Sequence, residues 1–171
     1  MTWLNSDDLL DSYTLTRVAS IFSELDTVAW ITGRPRIIDA TGGQLWLAEM
    51  LPIWSREKYL AKQFRTPYVQ QEGTFWRRSL WDKAGAYIAG YLDFAADLEL
   101  WSRFFRHTQL FTVDAVLASY RQHAGQKMAN FLKRYNQEAE EVLNREIVRF
   151  AVLPESDTLA VPLPILFNAD G

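Results

Sequence analysis

At 171 residues, 49% of them apolar, the chain is long enough for one domain with its own core and has the make-up of a water-soluble globular fold. A net charge of −3, with basic residues scattered, excludes the electrostatic footprint of a nucleic-acid-binding protein, and the lack of cysteine excludes disulfides and thiolate metal sites and fits a reducing compartment. No apolar run reaches the ~20 residues of a membrane span, and no basic-then-apolar leader opens the chain.

Met1 to Leu4 is mostly apolar and runs into Asn5-Ser6-Asp7-Asp8, which reads as the end of a strand with a polar tip. The spacing of Leu15, Val18, Ala19 and Phe22 predicts a helix over 11–25 with those residues on one face. Residues 27–32 and 36–40 are rich in β-formers and read as two strands about the turn Gly33-Arg34-Pro35, closed by Gly42-Gly43, in the pattern of a hairpin. Residues 44–67 mix a short helix with loop, 68–75 reads as extended, and 77–83 as a short helix. Gly85 and Gly90 mark 84–92 as a loop. Leu98, Trp101 and Phe105 then predict a helix over 95–106, with Glu99 on another, solvated face. Short strands follow at 110–113 and 116–121. The longest helix covers 127–150, with a stripe of Met128, Phe131, Leu132, Tyr135, Ala139, Val142 and Leu143 opposite its charges. The prolines at 154, 162 and 164 make the tail after Leu153 extended or loosely packed. Aromatic residues are abundant, and core filling accounts for most of them better than stacking on sugar rings.

Four stretches carry chemistry. Asn5-Ser6-Asp7-Asp8 places acids beyond a strand end, where α/β sheets bind ligands and where oxygen donors hold a hard cation; a helix N-cap explains the same residues. Gln70 to Arg78 sets polar side chains beside aromatics, suited to a sugar or its acceptor, or to a polar loop entering a strand. Asp97 opens a strong helix whose dipole favours its ionised form, the state a general base requires, or serves as a first-turn acid. His123, just after a strand, is a candidate metal ligand or an ordinary surface residue, whereas His107 suits a cation at a helix C-terminus.

In order and wording these stretches resemble the family-2 glycosyltransferases of GT-A fold: Leu4-Asn5-Ser6-Asp7-Asp8, Gln71-Glu72-Gly73-Thr74-Phe75-Trp76-Arg77-Arg78, Ala96-Asp97-Leu98-Glu99-Leu100-Trp101-Ser102-Arg103, and Tyr120-Arg121-Gln122-His123. The resemblance covers about residues 1–125. It implies an α/β fold: a partial GT-A-like mixed sheet flanked by helices, without the N-terminal nucleotide-binding βα units, followed by a long C-terminal helix (126–150) and a tail (151–171). It also implies transfer of a sugar from a nucleotide-diphosphate sugar to an acceptor hydroxyl, with inversion. Asn5, Asp7 and Asp8 would stand for the DXD motif, with Asn5 in its first place, and bind the donor. Mn2+ or Mg2+ would be held by Asp7, Asp8 and His123. Asp97 would be the base, Gln71, Glu72 and Trp76 would line the acceptor side, and Gly85 and Gly90 would belong to a flexible loop ahead of the base.

Because the chain opens at the acidic motif, an exposed sheet edge and an uncovered apolar face are expected, open to a partner chain or to self-association. A non-catalytic remnant or binding module is the alternative to an enzyme, as is one half of a split transferase. An interaction protein built on the 127–150 helix is a further one. The acceptor would be a sugar or a lipid-linked sugar, and the location cytoplasmic, peripheral to the inner face of the membrane if the acceptor is lipid-linked.

Overall fold

A computed structural model of the chain describes residues 1–51, 53–60, 69–123, 127–151 and 167–168, with residues 60, 127–131, 151 and 167–168 described by backbone alone. The elements in chain order are β1 (Leu9–Leu10), α1 (Thr14–Glu24), β2 (Trp30–Thr32), β3 (Arg36–Ile38), β4 (Gln44–Leu47), α2 (Arg56–Leu60), β5 (Thr74–Trp76), α3 (Arg78–Lys83), α4 (Ala96–Phe104), β6 (Phe111–Asp114), β7 (Ala118–Arg121), α5 (Lys127–Ala151) and β8 (Phe167–Asn168). They form a mixed α/β fold with two four-stranded sheets, ordered β5-β2-β6-β8 and β1-β7-β3-β4. Both mix parallel and antiparallel pairs. Among the described residues no helix is long and apolar enough to cross a membrane.

The first sheet is covered on both faces, and the two-residue period of its strands decides which side chain goes where. In β2 and β5, Trp30 and Trp76 pair in register and enter one core with Leu98, Trp101 and Phe104 of α4 and Tyr135, Ala139, Val142 and Leu143 of α5. Ile31 and Phe75, also in register, turn to the opposite core with Val18 of α1, Val113 and Leu117. Indole rings dominate the first core: Trp101 lies 5.5 Å from both Trp30 and Trp76, and 5.8 Å from Trp3 in a parallel stack.

β2 and β3 do not form the expected hairpin. The chain changes sheet at Gly33–Pro35, and again between β6 and β7 at Ala115–Leu117. The two crossings lock together: Arg34 N donates to Ala115 O at 2.7 Å and Gly33 N to Gly73 O at 3.1 Å. A Cβ on Gly33 would lie 2.8 Å from Ala115 O and 2.7 Å from Leu117 Cγ, so only glycine fits. Arg34 also pairs with Asp114 and donates to Ala48 O and Glu49 O. The hairpin that does form joins β3 to β4 through Gly42-Gly43, with Ile37 opposite Trp46, so the 44–67 stretch holds a strand at 44–47 besides its short helix, α2. Asp39 ties this turn by accepting Thr41 N at 2.7 Å and Gly43 N at 2.9 Å.

Other expectations are shifted. Residues 1–4 form no strand of their own, yet Met1 exchanges both backbone bonds with Trp76, at 2.9 and 2.5 Å, along the outer edge of β5. In α1 the buried face is Thr14, Val18, Ile21 and Phe22, while Leu15 is 64% exposed and Ala19 is exposed. The Thr14 hydroxyl, donating to Leu117 O at 2.6 Å, sets that rotation. Gln71–Gly73 is a 3-10 turn where an extended segment was expected. Burial lowers the pKa of His107, with Arg106 adding, which opposes its expected role as a cation. The α5 stripe packs on its own domain through Tyr135, Ala139, Val142 and Leu143, leaving Leu132 55% exposed. The side chains of Met128 and Phe131 lie outside the described residues. Of the tail, Phe167–Asn168 adds a parallel strand beside β6.

Candidate active site

A cavity of about 1010 Å³ opens beside the second sheet, at the large end of the range for small-molecule sites. Asn5, Asp7, Asp8, Gln71, Glu72, Asp97 and His123, drawn from four stretches of sequence, all line it. Trp76 does not. It is 1% exposed, packed edge-on to Trp3 and Trp101, and supports the site only through the core. One wall is a row across three strands, Trp46, Ile37 and Tyr120, neighbours by register.

The acidic motif splits into two roles. Asp8 is buried, and both its oxygens are engaged: Oδ1 accepts Arg121 N at 2.7 Å and Oδ2 accepts Asn5 Nδ2 at 2.9 Å. It is a brace tying the N-terminal segment to the end of β7, where a metal ligand was expected. Asp7 points outward, with Oδ2 3.0 Å from His123 Nε2. That hydrogen bond is the main reason its pKa lies below the ordinary value. Arg121 fixes the loop behind, donating from Nε to Asp7 O at 2.6 Å and from Nη1 to Asp39 O at 2.9 Å. Among the described residues no group of three His, Cys, Asp or Glu is placed to hold a metal, so Asp7 and His123 offer a two-donor pair.

Behind them lies a polar knot. The Asn5 amide also donates to Gln71 Oε1 at 3.4 Å and Glu72 Oε1 at 3.3 Å, while Gln71 Nε2 donates to Trp3 O at 2.5 Å. Glu72 is 3% exposed, and its carboxyl lies within hydrogen-bond reach of the Asp8 carboxyl. Burial, reinforced by the charges of Asp8 and Asp97, pushes its carboxyl up to about 8, so at neutral pH it is mostly a neutral acid able to donate. The 3-10 turn that presents Gln71 and Glu72 is held by Thr74 Oγ1 donating to Gln70 O at 2.7 Å. Gln70 itself borders β3 like a strand, accepting from Arg36 N at 3.1 Å and donating to Arg36 O at 3.2 Å.

Asp97 stands in the first turn of α4 at the cavity wall. Burial raises its pKa to about 6, against a 2.7 Å hydrogen bond from Leu98 N. It is therefore mostly ionised at neutral pH, yet poorly solvated, a suitable state for taking a proton.

Glu138, which sequence reasoning overlooked, and the Glu99–Arg103 pair anchor the helix that carries Asp97. Ala95, at the N-cap of α4, has no side-chain cap of its own. Glu138 of α5 supplies one, accepting Phe94 N at 2.8 Å, Ala95 N at 3.0 Å and Asp93 N at 3.3 Å. Glu99, expected to be solvated, is 7% exposed and paired with Arg103 at 2.8 Å. Arg103 in turn donates to Ala84 O, donates to Tyr87 O at 2.7 Å, and stacks 3.9 Å over the Tyr87 ring. The loop containing Gly85 (φ 97°) and Gly90 is thus clamped to α4. The i, i+4 spacing of Glu99 and Arg103 was a visible signal for that pair; nothing local marks Glu138, because its partners lie more than 40 residues away.

The chain matches no protein-family model and no curated protein.

Proposed function

We propose that this chain is a glycosyltransferase domain of the family-2 type, transferring a sugar from a nucleotide-diphosphate sugar to an acceptor hydroxyl with inversion. One observation carries the reading: the four stretches on which the resemblance rests converge on one cavity, with Asp97, ionised but desolvated, on its wall. Asp97 would take the proton of the acceptor hydroxyl as its oxygen attacks the anomeric carbon. Glu72, in its neutral form, would donate a hydrogen bond to the acceptor, and Gln71 would position Asn5 and the N-terminal segment.

Asp7 and His123 fit a divalent cation in one respect. Asp7 supplies an ionised oxygen at the cavity edge, the carboxylate share that Mg2+ takes when substrate phosphates and water complete its shell, with the His123 imidazole beside it. Mn2+ or Mg2+ bound there would neutralise the departing diphosphate. The binding-module reading keeps one supporting observation: both Asp8 oxygens already accept hydrogen bonds that brace the N-terminal segment.

Calorimetric titration of UDP, GDP and dTDP with and without Mn2+ separates the readings. One nucleotide binding only with metal, and not to Asp7→Ala, supports the transferase. No binding of any nucleotide by the folded chain overturns it in favour of a binding module. Where transfer is measured, Asp97→Asn should lower its rate about 100- to 10,000-fold without weakening nucleotide binding. Unchanged turnover removes Asp97 from its role.

A further inference from the structure

Beside the hydrogen-bonding groups described above, Trp46 from β4, Met50 beyond it, Ile88 from the clamped loop and Leu132 from α5 line the cavity while standing 49, 84, 43 and 55% exposed. Four large apolar side chains from separate parts of the chain, lining one cavity, exceed the scattered exposure of an ordinary surface. The polar lining is acidic: Asp7, Asp8, Glu49, Glu72, Asp93 and Asp97 line the cavity. Hydroxyl groups are donors that carboxylates accept.

We propose that the cavity takes an uncharged amphiphile as acceptor: a hydroxyl-bearing head against Asp97 and Glu72, and an apolar body against Trp46, Met50, Ile88 and Leu132. This deepens the transferase reading by naming the acceptor class, and its test needs neither donor nor metal.

The probes are methyl β-glucoside, octyl β-glucoside and octyl phosphate, each below its micelle-forming concentration, titrated into the whole chain and followed by calorimetry. Octyl β-glucoside should bind at least about tenfold more tightly than the methyl compound, the effect of burying two methylenes. Octyl phosphate should bind more weakly than octyl β-glucoside. Trp46→Ala and Leu132→Asn, both surface changes that leave the core intact, should each weaken octyl β-glucoside about tenfold. Equal binding of the methyl and octyl compounds overturns the proposal, as does preference for octyl phosphate, or an octyl affinity indifferent to both substitutions. Sedimentation with phosphatidylcholine vesicles, lost in Trp46→Ala, without binding of monomeric amphiphile would make these apolar side chains a lipid-surface contact and likewise overturn it. A chain that binds the octyl compound as expected but no nucleotide with Mn2+ would keep this inference and lose the transferase reading.

Discussion

Glu72 and Asp97 are two carboxyls with one cavity between them and different charge states. Burial raises both, to about 8 and about 6, and Asp8 and Asp97 raise Glu72 further. Their folded pKa values exceed those of the unfolded chain, so the folded state keeps protons that the unfolded state releases. The resulting stabilisation is full below the unfolded carboxylate range and is lost as pH rises through the folded values. The melting temperature of the wild type should therefore fall between pH 4.5 and 8, the interval over which Glu72 differs between the two states, and Glu72→Gln should fall less. Parallel decline in both would show that Glu72 titrates as an ordinary carboxyl. Arg103 sets a larger effect. At 3% exposure it neutralises Glu99 and satisfies Ala84 O and Tyr87 O, so Arg103→Ala leaves a buried charge alone. The expected loss is about 3–5 kcal/mol, read by urea denaturation.

Among the elements, α4 is the one that brings Asp97 to the cavity wall. Its period was plain in Leu98, Trp101 and Phe105, and a start near residue 95, just ahead of Asp97, was expected. Its anchoring was not, because every side chain from Leu98 to Phe104 is buried, leaving no solvated face. The cap comes from α5. Glu138→Ala should remove about 1 kcal/mol of stability and speed amide exchange at Phe94 and Ala95, whose N–H groups the carboxylate accepts. Exchange rates unchanged at those amides would show that Glu138 does not hold the turn. The misplaced hairpin has a similar origin. Strand propensity identified residues 30–32 and 36–38, but pairing depends on where the chain turns, and Gly33 turns it into another sheet under Ala115 and Leu117.

Across the whole molecule, α5 is an integral layer and not an appendage. Tyr135, Ala139, Val142 and Leu143 complete the tryptophan core, Arg106 pairs with Glu146, and Arg134 with Asp93 at 2.8 Å. A chain ending at residue 125 should lose cooperative thermal unfolding, since it would open that core along its length. A sharp calorimetric transition in the shortened chain would make α5 a free docking helix instead.

Local chemistry made several features readable: helices over 11–25, 95–106 and 127–150, found at 14–24, 96–104 and 127–151, and strands that overlap 27–32, 36–40, 110–113 and 116–121. Helical period and β-propensity are properties of neighbours in the chain, so a linear reading reaches them. Partner identity is not such a property. Asp8 became a brace because Arg121, 113 residues away, presents its amide; Trp76 became core because Trp30 and Trp101 enclose it; Glu99 was buried because the loop carrying Tyr87 folds over it. Desolvation and long-range hydrogen bonds assigned those roles, and both exist only once distant segments are packed together.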